Sequence, residues 1–191
     1  IFEGAVLLNT GFMRPELWSV QLEPSAKEGG QVEVQVNWKA ARGMPTMASP
    51  VLVGDELYTV SDGGVASCLD ARTGAEVWRE RLGGEFSASL LYANGRVYYF
   101  DREGTTTVIL PGREFQKVAQ NTLDDGCMAS AAALGGALII RTRSHLYRLQ
   151  SPDWASAPFG LLDNGDLQEA YEGNDPRRRQ MIPWWRLEGE A

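Results

Sequence analysis

Long apolar runs are missing from this sequence, and positive charge is scarce. The longest apolar stretches, such as residues 131–134 and 137–140 on either side of Gly135 and Gly136, have only four residues, whereas a membrane-spanning helix needs ~20 apolar residues in a row. The 18 Lys and Arg residues stand against 25 Asp and Glu, which gives a net charge of −7. Nucleic acid and anionic membranes are polyanions, and the one basic run, residues 177–179, is too short to attract them. We therefore expect no membrane span and no nucleic-acid partner.

Cysteine and histidine are nearly absent as well. Cys68 and Cys127 are the only cysteines; they could pair, but we expect two separate buried thiols. Together with the single histidine, His145, they supply too few nitrogen and sulfur ligands for an ordinary zinc site. The chain starts at Ile1 with no charged-then-apolar leader, so we expect a signal peptide to be absent or already removed, and the start to be an internal cut.

A repeat of about 40 residues runs through most of the chain. Ser49 and Ser89 lie 40 residues apart in matching segments, and Ser130 follows after another 41. Trp38 and Trp78 are also 40 residues apart. Helical and β repeats share this period, so the local strand signals have to decide between them.

Four short β-rich runs, here termed strands A to D, make up the second repeat. They are residues 50–53, 56–61, 65–70 and 76–82. Gly54-Asp55 suits the positive-φ positions of a tight hairpin, and Thr73-Gly74 marks another turn. One four-stranded sheet cannot bury both of its faces, so such sheets must stack around an axis. The sequence therefore predicts an all-β fold, a β-propeller of four-stranded antiparallel blades.

The repeat divides the chain into blades and an arm. The blades are residues 1–40, 41–82, 83–123 and 124–150, of which the first lacks strand A and the last lacks strand D. Residues 151–191 do not repeat and form a C-terminal arm whose aromatic residues are mixed with acidic ones. We expect this arm to pack on a blade; the alternative is a disordered or non-natural extension.

The second repeat resembles a known family. Residues 61–79 read SDGGVASCLDARTGAEVWR, which is similar to the repeat of pyrroloquinoline-quinone-like (PQQ-like) propellers. The resemblance covers about residues 1–150, although Ala119 stands in the third repeat where Trp78 stands in the second. It implies that Trp38 and Trp78 wedge between neighbouring blades, that a full ring has about eight blades, and that the location is secreted or periplasmic.

The resemblance does not imply a cofactor. The quinone-dependent alcohol dehydrogenases of this family have adjacent paired cysteines and a calcium-binding set of acids and amides, and neither is found in this sequence. PQQ is therefore not expected. Non-enzymatic relatives, including outer-membrane assembly factors, act as scaffolds.

Four blades are about half of such a ring. An open half-ring would expose two blade faces and unpaired strand edges, which native proteins cover. Two copies could close the ring with two-fold symmetry, so that the end blade of each packs on the first blade of the other. We therefore expect a homodimer of about eight blades.

Charged residues gather in the B–C and D–A loops, which emerge together on one face of a propeller, here termed the loop face. Carboxylates near a histidine can perform acid–base chemistry, and the candidate catalytic residues are Asp62, Asp125 and His145. The candidate binding residues on the same loops are Asp101, Arg102, Glu103, Asp124 and Arg143. A divalent metal could bind the acids, although no regular ligand spacing supports one. The alternative is that these are ordinary turn residues.

Two functional hypotheses follow. The first is a non-catalytic propeller module that binds a protein or small ligand and works as a homo-oligomer, with Ser49, Ser89, Ser130 and the tryptophans as structural residues. The alternative is a hydrolase with an acid, His and Arg site on the loop face of the closed ring, with or without a metal.

Overall fold

The computed structural model describes residues 1–24 and 32–150, and within these ranges the chain is all-β. Four antiparallel sheets follow one another along the chain. The first contains β1 (Val6–Asn9), β2 (Leu17–Pro24) and β3 (Val32–Ala40). The second contains β4 (Val51–Val53), β5 (Glu56–Val60), β6 (Val65–Asp70) and β7 (Glu76–Arg81). The third contains β8 (Leu91–Ala93), β9 (Arg96–Phe100), β10 (Thr105–Leu110) and β11 (Gln116–Thr122). The fourth contains β12 (Ala132–Leu134), β13 (Ala137–Arg141) and β14 (Leu146–Gln150).

The predicted all-β architecture of a partial propeller is confirmed. The two inner sheets have four strands each, and the two outer sheets have three among the described residues. The arm predicted for residues 151–191 lies outside the described residues. Within the described ranges no helix is long and apolar enough to cross a membrane.

Tight turns join the strands where the sequence supplies residues that tolerate positive φ. Asn94 and Gly95 have φ values of 47° and 69° between β8 and β9, which is the geometry that holds a two-residue hairpin together. Gly54 has a φ of 60° between β4 and β5. The short strands therefore begin and end close to the positions that the turn signals predicted.

The same β-bulge occurs in three sheets and identifies equivalent positions. The register shifts between Ser19 and Val20 in the first sheet, between Cys68 and Leu69 in the second, and between Val108 and Ile109 in the third. The residues paired just before the shift are Trp38, Trp78 and Ala119, respectively. A bulge bends the strand and increases its twist, so each sheet presents the same position of its last strand to the next sheet.

Tryptophan joins the first sheet to the second. Trp38 is 9% exposed, and its Nε1 donates a hydrogen bond of 3.0 Å to the carbonyl oxygen of Ala71 in the turn of the next sheet. The ring lies against Gly74, where a Cβ atom would come within 2.5 Å of it. The ring can therefore pack this closely only because residue 74 has no side chain.

A second tryptophan repeats this contact one sheet further on. Trp78 donates from Nε1 to the carbonyl oxygen of Gly112 at 3.0 Å, and its ring contacts Tyr58 and Phe115 with centroid distances of 5.9 and 5.2 Å. At the equivalent position of the third sheet, Ala119 is 3% exposed. The recurring tryptophan thus spans from one sheet to the C–D turn of the following sheet.

Apolar side chains fill the spaces between the sheets in three clusters. The buried members of the first cluster are Leu17, Trp38, Met44, Leu57, Leu69 and Ala71. Those of the second are Ala48, Tyr58, Val60, Ala66, Cys68, Phe86, Val97, Tyr99 and Ile109. Those of the third are Ala88, Phe100, Leu123, Cys127 and Ile140. Because each cluster draws on neighbouring sheets, no sheet has a complete core of its own.

The repeated serines each lie two residues before the first strand of their blade and connect successive blades. The backbone N–H of Ser49 donates to the hydroxyl of Ser89 at 3.0 Å, and the backbone N–H of Ser89 donates to the hydroxyl of Ser130 at 3.0 Å. Cys68 and Cys127 are buried free thiols, as predicted.

Candidate functional site on the loop face

One polar residue closes the B–C turn of each of the last three sheets. The hydroxyl of Ser61 accepts the N–H of Val65 at 3.0 Å, and the hydroxyl of Thr142 accepts the N–H of His145 at 3.1 Å. Asp101 occupies the equivalent place, where its Oδ1 accepts the N–H of Thr105 at 2.6 Å. The carboxyl of Asp101 is buried, and this burial raises its pKa above the ordinary aspartate value. Asp101 is therefore held as a turn residue.

Two further acids tie the D–A loop of a blade to the B–C turn of the same blade. Asp62 accepts hydrogen bonds from the backbone N–H of Thr46, at 2.9 Å, and from the Thr46 hydroxyl. Asp125 accepts the backbone N–H of Ser144 at 2.6 Å and its hydroxyl at 2.5 Å. These bonds from Ser144 lower the pKa of Asp125 below the ordinary aspartate value. Each acid thus stabilises its own blade.

The remaining charged candidates form contacts on the third and fourth blades. Arg102 forms an exposed ion pair of 3.2 Å with Glu85, and its Nη2 lies 3.8 Å from the sulfur of Met128. Glu103 accepts the backbone N–H of Glu85 at 3.3 Å. The Arg143 guanidinium lies against Gly126, and Asp124 is exposed. An exposed pair such as Arg102–Glu85 contributes little to stability, and a binding role for these side chains stays a prediction.

His145 belongs to a three-residue group on the fourth blade. Its Nδ1 lies 2.7 Å from the hydroxyl oxygen of Ser144, which also contacts Asp125. The serine stands between the acid and the histidine, whereas in a catalytic triad the histidine stands between the acid and the nucleophile. Here the Ser144 hydroxyl donates its hydrogen bond to the Asp125 carboxylate rather than to a histidine nitrogen. The sequence reasoning missed Ser144, because its role depends on an acid 19 residues earlier in the chain.

The candidate catalytic residues do not form one cluster. Asp125 and His145 share Ser144, but Asp62 contacts Thr46 in the second blade. Among the residues that the structure describes, no three His, Cys, Asp or Glu side chains come close enough together to hold a metal ion. Residues 141–146, which include Ser144 and His145, line a shallow cleft.

Exposed apolar side chains are the second feature of the loop face. Phe12 and Met13 are 84% and 83% exposed in the loop between β1 and β2, and Met47 is 52% exposed. This loop lies beside the chain that leads to Met47, since Asn9 donates to the carbonyl of Pro45 at 3.0 Å. Methionine and phenylalanine in a polar turn are unusual. The Phe12-Met13 pair was visible in the sequence, but it was not among the predicted site residues.

Stacked antiparallel sheets joined by tryptophan-to-turn contacts define the chain as a partial β-propeller of PQQ-like repeats. The family described as outer membrane protein assembly factor BamB matches residues 14–113. The chain belongs to this family, which confirms the resemblance seen in the second repeat.

Individual relatives agree with this assignment. The outer membrane protein assembly factor BamB of Burkholderia pseudomallei strain K96243 is 38% identical over 61 residues, which cover 31% of this chain and 16% of that protein. The crystal structure of BamB from Moraxella catarrhalis superposes with a TM-score of 0.56 at 16% identity, over 78% of this chain and 46% of that one. The chain therefore spans less than half the length of either relative.

A quinohemoprotein alcohol dehydrogenase, ADHIIG from Pseudomonas putida HK5, shares the fold. Its TM-score is 0.57 at 12% identity, and the match covers 73% of this chain and 27% of the dehydrogenase. A likeness at this identity shows a common fold alone.

Proposed function

We propose that this chain is a non-catalytic propeller scaffold that binds another protein at its loop face and takes part in outer membrane protein assembly. The family assignment supports a role in outer membrane protein assembly, because the description of the family names an assembly factor of that process. A role in that process agrees with the secreted or periplasmic location implied by the resemblance. The loop face supports a non-catalytic role, because Asp62, Asp101 and Asp125 accept hydrogen bonds that hold turns.

The turn formed by Phe12 and Met13 is the observation on which the proposal rests. Both side chains are more than four-fifths exposed, and Met13 has a φ of 68°, which is costly for a residue with a side chain. Fully burying a side chain of this kind stabilises a complex by about 1.5–3 kcal/mol. Flexible methionine adapts to irregular partner surfaces. The turn is therefore suited to serve as an apolar anchor for a protein partner.

Complementation in bacteria tests this proposal. The full chain is expressed in the periplasm of a strain without its own BamB, and the amount of folded outer-membrane β-barrel protein is measured. We expect the unmodified chain to raise this amount, and Phe12→Ser combined with Met13→Asn to remove most of the gain. Asparagine tolerates positive φ, so the backbone of the turn is preserved.

Tyr92→Ser is the matched control, because Tyr92 is a 42% exposed aromatic residue on β8, away from the B–C loops. Its complementation should equal that of the unmodified chain. Circular dichroism must show that all variants fold. A chain that never rescues assembly, or a loop variant that rescues as well as the control, would contradict the proposal.

The homodimer that closes the ring stays a prediction. Its mass can be measured by light scattering at several concentrations, and a mass of two chains, twice 21.0 kDa, would support it. The hydrolase hypothesis rests on the Asp125, Ser144 and His145 group, whose bonding order differs from that of a triad. Unchanged turnover in Asp62→Ala, Asp125→Ala and His145→Ala variants would exclude that site.

A further inference from the structure

The fourth sheet has one face packed on its neighbour and one face turned outward. Leu138, Ile140, Tyr147 and Leu149 join the apolar cluster shared with the third sheet. Side chains alternate along a strand, so Ile139, Arg141, Leu146 and Arg148 lie on the opposite side. Within residues 1–24 and 32–150, no further sheet packs on this outward face.

The repeat shows that Arg148 is unusual at its position. It pairs with Ile139, as Cys68 pairs with Tyr58 and as Val108 pairs with Tyr98 in the preceding sheets. Cys68 and Val108 are 0% and 3% exposed and face the following blade. An arginine therefore stands where the second and third sheets bury a small apolar residue.

Arg141 departs from the repeat in the same way. It is the last residue of β13, and the equivalent last residues of β5 and β9 are Val60 and Phe100, which are 0% and 2% exposed. Arg141 pairs with Leu146, so Arg148 is its diagonal neighbour at about 7–8 Å between Cα atoms. Two cations at this distance repel each other, and burying both beneath an ordinary apolar blade would carry a large desolvation cost.

Neither arginine is neutralised by the described part of the chain. Both side chains are exposed, and no carboxylate within residues 1–24 and 32–150 forms an ion pair with them. Leu146, between them on the same face, is 53% exposed. A suitable cover must therefore bring acidic and apolar groups together.

The first sheet of a second copy is a poor match for this face. Its own outward face carries exposed Leu8, Val34 and Val36. The cation there, Lys39, lies 3.5 Å from the centre of the Trp18 ring. The same face also carries the Glu16 carboxylate, which accepts a hydrogen bond from Trp18 Nε1 at 2.8 Å. A ring-closing dimer would thus set apolar side chains, a further cation and one acid already bonded to Trp18 against the arginine pair.

The segment that follows β14 has the required composition. Residues 151–175 contain no Lys or Arg, and their acids are Asp153, Asp163, Asp166, Glu169, Glu172 and Asp175. Trp154, Phe159 and Tyr171 lie among these acids. Twenty-five residues can span at most roughly 80–90 Å when fully extended, and a three-stranded sheet is only about 10 Å across, so the length of the segment does not prevent it from reaching this face. The tether to Gln150 raises the effective concentration to the millimolar range.

We propose that residues 151–175 dock on the outward face of the fourth sheet, where carboxylates pair with Arg141 and Arg148 and aromatic side chains cover Ile139 and Leu146. The cover is intramolecular and leaves the loop face open. This docking does not depend on the function proposed above.

Hydrogen exchange on the full-length chain tests the docking. We expect amides of residues 151–175 and of β14 to be protected, and Arg141→Glu combined with Arg148→Glu to speed exchange in both regions at least tenfold. Arg42→Glu combined with Arg81→Glu changes the net charge equally, at two exposed arginines of other blades, and should leave both regions protected. Raising NaCl from about 0.05 to 0.5 M should speed exchange in the unmodified chain and not in the Arg141 and Arg148 variant.

Light scattering on the same samples separates the possible occupants. Protection that is independent of concentration in a monomer supports the docking. Protection that appears only with a dimer would assign the face to a second copy and overturn the proposal. Rapid exchange in 151–175 of the unmodified chain would also overturn it, as would protection that survives reversal of both arginines.

Discussion

Replacing Gly74 by alanine tests the joint between the first two blades. Gly74 has a φ of 70°, and a Cβ atom there would lie 2.5 and 2.6 Å from two atoms of the Trp38 ring. The positive φ alone costs about 1 kcal/mol with a side chain. The collision adds to this, because Trp38 is 9% exposed and must move away from its bond to Ala71.

The second contribution can be bounded. Loss of one hydrogen bond costs about 1 kcal/mol, and complete loss of tryptophan packing costs about 3–5 kcal/mol. A partial displacement of the ring should therefore add about 2 kcal/mol. We expect Gly74→Ala to lower the free energy of unfolding by about 3 kcal/mol in total, measured by urea denaturation with circular dichroism.

Gly95 provides the matched control. Its φ is 69°, almost the same as that of Gly74, and nothing lies within 4 Å of its hypothetical Cβ. Gly95→Ala should cost only about 1 kcal/mol. In a Trp38→Ala background the cost of Gly74→Ala should fall to the same value. Equal costs for the two glycine replacements in the unmodified chain would refute the argument that the ring contact requires glycine.

Three further outcomes are expected. Ser89→Ala removes the acceptor for the N–H of Ser49 and should lower the unfolding free energy by about 0.5–1 kcal/mol in urea; an unchanged denaturation midpoint would show that the bond contributes nothing. Burial raises the pKa of Cys68 to about 12, so iodoacetamide at about pH 8 should label it only after unfolding, and fast labelling of the folded chain would argue against that burial. Bonds from Ser144 lower the pKa of Asp125 in the folded chain. The ionised Asp125 therefore stabilises the folded chain above the ordinary aspartate pKa of about 4, and this contribution is lost as the pH falls through the lower pKa of the folded state. Asp125→Asn should therefore flatten the loss of thermal stability on acidification, and identical pH profiles would contradict this.

The blades could be predicted because their signals are local. The Gly54-Asp55 turn, the β-rich run of residues 56–61 and the spacing of Trp38 and Trp78 are each determined by nearby residues and by simple backbone geometry. The tryptophan contact was implied by the family resemblance. Its acceptor carbonyls on Ala71 and Gly112 required the structure, because they lie 33 and 34 residues away.

The loop face was harder to predict. The acids were placed correctly in turns, but the sequence could not show that Asp62 bonds Thr46 or that Ser144 stands between Asp125 and His145. Such contacts depend on how a D–A loop approaches a B–C turn. The backbone conformations of the two loops determine these contacts, and no short sequence motif specifies those conformations.

The outward face of the fourth sheet shows the same division. The sequence by itself determined the four-blade pattern, because short β-rich runs, turn glycines and a 40-residue period can be read from the residues themselves. Only the tertiary structure decided that Arg141 and Arg148 stand where Val60 and Cys68 are buried, because this comparison needs the strand register of three sheets. The physical reason is that a side chain on one face of a sheet is buried only when a neighbouring sheet packs on that face. Such a neighbour is present only once the blades have stacked.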